Sequence, residues 1–175
     1  ASVDGTISLD AALDGCRRHA CDFLVEPVRA DGSFWFHDGL TAAALASDTR
    51  LVNNDHDSDN GWDIKGDPTE GALVVAAAKM GYWKSSLDSS FPRAAELPFD
   101  SERKRMTTVH HLGQYDPTVL AGLEVGDYRY IAFTKGGVDG LLDIASHIWV
   151  EGKAQLLDAG WRSKIEASNE RLAKK

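Results

Sequence analysis

Residues 65–73 read KGDPTEGAL, and no other stretch of the chain defines a local structure so tightly. Asp67 is a good N-cap, Pro68 suits the first helical position, and Glu70 is then the third helical residue. DPTE is therefore a capping box with Asp in place of Ser or Thr. The apolar run beyond it ends at Met80, and Gly81 stands at the C′ position, where a left-handed residue is wanted. The pattern predicts a helix from about Pro68 to Met80. It leaves two readings of Glu70: the carboxylate finishes the helix mouth, or it meets a ligand.

Around this helix the chain reads as mixed α and β structure without repeats or a long linker. Leu9, Ala12, Leu13, Cys16, Ala20, Phe23 and Leu24 fall at helical spacing, predicting an amphipathic helix that ends before Pro27. SFWFH at 33–37 reads as a strand and LTAAALAS at 40–47 as a short helix. Residues 97–111 and 128–134 read as strands, with a turn at Gly126 and Asp127 between them. Two closing helices are predicted, from Val138 to about His147 and from Trp161 to about Ala173, the latter with Trp161, Ile165 and Leu172 on one stripe. With 175 residues, 43% of them hydrophobic, one core and one domain are expected.

Charge and cysteine usage exclude several classes. A net charge of -8 repels a phosphate backbone, so RKR at 103–105, flanked by Asp100 and Glu102, is not read as a nucleic-acid signal. Cys16 and Cys21 have neither zinc-ribbon spacing nor the density of a disulfide scaffold, and are expected to be reduced thiols. No window approaches the roughly 18–20 apolar residues of a membrane span, so the chain is expected to be soluble. DHDSDNGWDIKG at 55–66 begins like a calcium loop, but Asn60 replaces its glycine and Gly66 its bidentate glutamate, leaving an acidic surface loop. His110 and His111, adjacent on a strand, point to opposite faces, a poor geometry for joint metal ligation.

Two further stretches carry chemistry. In ELPFDSERKRMTTVHH, Phe99 runs into a charged segment. It is either an exposed platform for a base, with Arg103, Lys104 and Arg105 near enough for phosphates, or a core residue on a strand that turns its charges to solvent. In YRYIAFTKGGVDGLL, an aromatic strand ends at Lys135, and Gly136 and Gly137 precede a helix. The pair permits close approach to the backbone, and a plain strand-to-helix turn explains it equally well.

Together KGDPTEGAL, PFDSERKRMT and FTKGGVDGLL, in this order and at these separations, resemble the nucleotide-binding (N) domain of P-type cation-transporting ATPases, of the calcium-pump-like bacterial type. The resemblance covers about residues 40–175, with 1–35 a divergent part of a single domain 1–175. It implies an α/β (α+β) fold with a mainly antiparallel sheet flanked by helices. By this resemblance Phe99 matches the phenylalanine that stacks on adenine, Glu70 the glutamate near the adenine amino group, and Lys135 the lysine at the base of the ATP pocket. Lys104 is similar to a pocket lysine, Met106 to a side chain lining the cavity, and Gly136 to a glycine that leaves room for the base. Where calcium pumps carry an arginine near the phosphates this chain has Ser101, so Arg103 or Arg105 would supply charge. KGGVD replaces the usual KGAPE, which touches the shape of the following turn.

The resemblance also implies ATP as ligand, as Mg-ATP in the full pump, and phosphorylation, actuator and transmembrane domains as partners. The domain would be a cytoplasmic part of an integral membrane protein, monomeric as a fragment. The phosphorylated aspartate of the Asp-Lys-Thr-Gly motif does not occur in this sequence, nor does a G-x-x-x-x-G-K loop, so nucleotide is expected to bind here without turnover. The family's last phosphate-contacting arginine would fall beyond Lys175, which implies reduced affinity. The competing expectation is an interaction module that keeps the fold without a working nucleotide pocket.

Overall fold

A computed structural model describes residues 23–25, 36–53, 62–112, 128–150 and 153–174. In chain order the elements are β1 (Phe23–Val25), α1 (Phe36–Leu45), β2 (Arg50–Asn53), β3 (Trp62–Lys65), α2 (Pro68–Lys79), α3 (Lys84–Ser90), β4 (Arg93–Asp100), β5 (Arg105–His111), β6 (Tyr130–Gly136), α4 (Val138–Ile144), β7 (His147–Val150), β8 (Lys153–Leu156) and α5 (Ala159–Ala173). The fold is mixed α and β, with pairing antiparallel throughout except for β1 beside β7.

The central sheet has the order β4-β5-β6. On β5, Thr108 pairs with Phe133 and His110 with Ile131, and alternation puts these side chains on one face. That face meets α1, α2 and α3: Phe133 joins Leu40, Ala44, Leu45, Ala77, Leu87, Phe91 and Leu112 in the main core. Phe91 and Leu45 are fully buried. A second cluster of Leu142, Ala145, Ile148 and Leu157 joins α4 to β7 and takes Trp161 and Ile165 from α5, so these two stripe residues pack as the periodicity predicts.

The helix anticipated at DPTE runs Pro68–Lys79, followed by Met80 and by Gly81 at φ +89. Elsewhere the structure corrects the sequence reading. Phe23 and Leu24 lie in a strand, because pairing with His147 and Ile148 overrides their helical spacing; the rest of that helix lies outside the described residues. Phe36 and His37 open α1 rather than ending a strand. The helix after Val138 stops at Ile144, and the apolar run HIWV pairs between β1 and β8. Residues 97–111 are not one strand but the end of a hairpin, β4 and β5. Of the calcium-like segment at 55–66, read as an acidic loop, residues 55–61 lie outside the described residues and Trp62–Lys65 form β3, paired with β2 instead of looping; the Gly126–Asp127 turn lies outside the described residues.

His110 is wholly buried and His111 exposed, on opposite faces as expected. His110 Nδ1 lies 2.8 Å from the Phe91 carbonyl, which can only accept, so Nδ1 carries the proton and Nε2 accepts from the Thr108 hydroxyl at 2.9 Å. Burial holds this imidazole below its ordinary pKa of 6.5, and the Arg93 and Lys84 charges add to that against the opposing pull of the Phe91 carbonyl and Asp88. An unfolded chain takes up this proton first. The contribution to stability is therefore full above pH 6.5 and drains away as pH falls below it. Melting temperature should fall from pH 7.5 through 6.0 to 5.0, by about 2–4 °C per kcal/mol lost. A constant melting temperature over that range would exclude the effect.

Candidate nucleotide site

The C-terminal end of β4, the N-terminal end of β5 and the C-terminal end of β6 lie at one edge of the central sheet, since Asp100 pairs with Arg105 and Arg105 with Gly136. Every sequence-predicted site residue except Glu70 is on this edge or in its turn. Glu70 reaches it from the mouth of α2 through Lys135.

Lys135 pairs with Met106 and lies two residues beyond Phe133, so both side chains continue the core-facing side of the sheet. Met106 is buried at 5% exposure. Lys135 Nζ donates to Glu70 Oε1 at 2.6 Å and to Ser47 Oγ at 3.1 Å. Glu70 Oε2 accepts from the Asp48 amide at 2.9 Å and, more loosely, from the Thr49 amide and hydroxyl, each at 3.4 Å. Partial burial would raise the Glu70 pKa, but the Lys135 hydrogen bond and the Asp48 amide outweigh it and hold the carboxyl below its ordinary value. The pair is ionised and half-buried.

This arrangement corrects the capping box. Its forward half is present: the Asp67 carboxylate accepts from the Thr69 amide at 2.8 Å and the Glu70 amide at 3.0 Å. The return half is replaced, because Glu70 turns its oxygens to the α1–β2 connection and to Lys135 instead of back to Asp67.

Phe99 is 64% exposed. The register explains why. Leu97 pairs with Thr107 and Asp100 with Arg105, so Pro98 and Phe99 together oppose Met106 alone, a β-bulge. Pro98 suits the bulge because it has no N–H to donate. The extra residue breaks the alternation of β4, and Phe99 is released from the pattern that buries its neighbours on β5.

The turn that follows is held by Asp100, whose carboxylate accepts from the Arg103 amide at 2.8 Å and the Glu102 amide at 2.9 Å, bonds that keep its pKa below the ordinary value. Ser101 is exposed on this turn. The Arg103 guanidinium bends back to the Pro98 carbonyl at 2.8 Å, tying turn to bulge. Lys104 takes φ +51, a left-handed conformation uncommon outside Gly, Asn and Asp. Its ammonium pairs with Asp139 at 3.0 Å, both groups exposed. Arg105 is directed instead to the carbonyls of Arg103 and Gly140.

Sequence reasoning missed Ser47, Asp48, Thr49 and Arg93. The first three follow α1 as an ordinary polar trio, and only the fold brings them to Glu70. Arg93 lies at the far end of β4 from Phe99, and nothing in its spacing pointed to it.

Residues 35–175 match the family described as P-type ATPase, cytoplasmic domain N. The chain belongs to that family. This N domain is 38% identical over 122 residues to the "Probable cation-transporting ATPase F" of Mycobacterium tuberculosis, covering 70% of this chain and 13% of that protein. It is 33% identical over 141 residues to "Calcium-transporting ATPase 1" of Lactococcus lactis, covering 78% and 14%. To the "Calcium-transporting ATPase" of Bacillus subtilis it is 33% identical over 134 residues, covering 77% and 13%. The matched part of the N domain thus spans only a small fraction of each relative's length. Among the described residues no helix is long and apolar enough to cross a membrane.

Proposed function

We propose that this N domain binds the adenine nucleotide of a P-type cation-transporting ATPase at the edge formed by β4, β5 and β6. The observation that carries the reading is an aromatic ring left 64% exposed by a bulge, at the same sheet edge as the ionised Glu70–Lys135 pair. An exposed aromatic in a folded chain offers a stacking face. Glu70 Oε1 keeps acceptor capacity for an exocyclic amino group beyond its bond to Lys135, since each carboxylate oxygen can accept more than one hydrogen bond. Met106 supplies apolar lining beside Lys135. Ser101, Arg103 and Lys104 are the polar groups at the rim, where phosphates would extend. Gly136 keeps the strand end thin.

The donor set fits ATP. In the parent pump, by this reading, Mg-ATP held here would offer its γ-phosphate to an aspartate on a separate phosphorylation domain. Calcium or another cation would be the cargo, and the actuator and transmembrane domains the further partners, with this domain on the cytoplasmic side of the membrane.

A base stack is worth about 1–3 kcal/mol and a few polar contacts about 0.5–1.5 each, which after the cost of association gives dissociation constants of roughly 0.1 to several mM. NMR titration of labelled protein should give saturable shifts at Glu70, Phe99 and Lys135. AMP, ADP and ATP should fall within about tenfold of one another, a span of about 1.4 kcal/mol, with GTP weaker because its base presents a carbonyl where adenine presents the amino group. Absence of shifts at about 10 mM, corresponding to weaker than about -3 kcal/mol, would favour an interaction module. A loss beyond a hundredfold from ATP to AMP would overturn the adenine-centred reading.

A further inference from the structure

The α1–β2 connection meets Glu70 and Lys135 with two backbone amides and two hydroxyls, groups that are useful only if the connection itself is held in place. The Ser47 hydroxyl donates to the Ala43 carbonyl at 2.7 Å, and the Thr49 hydroxyl is shared with the Asp67 carbonyl at 3.1 Å; one further side chain ties the connection to β4. Arg93, at the start of β4, donates through Nη1 to Asp48 Oδ1 at 2.6 Å and Glu96 Oε2 at 2.7 Å. Through Nη2 it donates to the Leu45 and Ser47 carbonyls at 3.0 and 3.1 Å. The Leu45 carbonyl is the last of α1, where the helix leaves acceptors unmatched and a cation is favoured, and the Ser47 carbonyl lies in the connection just beyond it. Asp48 is used twice: its carboxylate goes to Arg93 and its amide to Glu70. Lys84 also reaches α1, at the Ala44 carbonyl, and its other bond is to Asp88 rather than to residues 47–49.

We propose that Arg93 is a positioning residue of the nucleotide site: it clamps residues 45–48 to β4, so that Asp48 and Thr49 hold Glu70 and Ser47 holds Lys135. The proposal rests on the nucleotide reading only for its binding consequence. The clamp needs a planar fork that donates to two carboxylates and two carbonyls, which a lysine ammonium with three donors on a single nitrogen cannot reproduce. Because β4 also carries the Phe99 bulge, the same guanidinium ties the stacking strand to the turn that orients the carboxylate.

The test follows the Glu70 side-chain carboxyl by ¹³C NMR as pH is lowered, together with AMP affinity, in the parent chain and in Arg93→Lys and Arg93→Met. The charges about the Glu70 mouth, Lys135 and Asp67, are left unaltered. In both variants the Glu70 midpoint should rise toward the ordinary glutamate value of 4.5 as the Asp48 and Thr49 amides are lost. AMP affinity should fall about 3–10-fold, with amide shifts along the β5–β6 ladder kept. A midpoint that does not move, or one that moves only in Arg93→Met, would overturn the proposal, the latter because charge alone would then account for it. If Arg93→Met fails to fold, Arg93→Lys alone decides. Movement of the midpoint in a protein that binds no AMP would uphold the clamp and reject the nucleotide reading.

Discussion

Replacing Phe99 by alanine is expected to weaken AMP and ATP binding by about 5–150-fold, the equivalent of a base stack worth about 1–3 kcal/mol, while leaving the fold intact. The two halves of this expectation have separate causes. The ring is 64% exposed, so truncation removes little burial and opens no cavity, and surface changes of this kind stay within about 0.5 kcal/mol. The backbone of the bulge is held by other groups, the Arg103 guanidinium on the Pro98 carbonyl and the Asp100 carboxylate on two turn amides. Calorimetry or thermal unfolding beside an NMR titration reads both quantities. Unchanged affinity would remove the stacking role. A collapse in melting temperature would mean that Phe99 is a core residue after all.

Gly136→Ala should have the opposite signature, a loss of stability in the upper part of the range for overpacking, about 2–3 kcal/mol. A Cβ at Gly136 would run into the Lys104 carbonyl, and would stand 2.6 Å from Arg105 Cβ and 2.7 Å from Arg105 Cα. The Lys104 carbonyl and Arg105 Cα are backbone and cannot swing away as the end of a flexible side chain can. The resemblance gave this glycine the task of leaving room for a base; the packing supplies a second reason, that the β5 chain itself occupies the space. Relief would require the β4–β5 turn to lift from β6, which would also break the bond from the Gly137 amide to the Lys104 carbonyl at 3.0 Å. An unchanged melting temperature would show that the turn yields freely.

What could be read in the sequence was what short-range chemistry decides. Asp67, Pro68 and Gly81 fix both ends of α2 through groups within a few residues of each other, and that helix is as expected. The β4–β5 hairpin escaped because its turn uses no glycine: an aspartate carboxylate folds the chain back and a lysine takes the left-handed position. Strand β7 escaped because HIWV follows a helix without a Gly or Pro break, and one of its two partners, β1, comes from a distant part of the chain. Glu70 and Lys135 were legible as residues through the motifs around them. Their mutual pairing was not, nor were Ser47, Asp48, Thr49 and Arg93, because each acts across a tertiary contact that leaves no local spacing.

Lys135 is 65 positions from Glu70 and 88 from Ser47, yet the three share one hydrogen-bonded cluster. Closing such long loops costs entropy before any contact compensates, and contacts of high sequence separation tend to form late. During synthesis, the helix mouth and the aromatic hairpin emerge well before β6 brings its lysine to them. A chain that has emerged only as far as the hairpin therefore holds the helix mouth and Phe99 but not the lysine that joins them, and on the nucleotide reading competence to bind would arrive with the last strand of the central sheet.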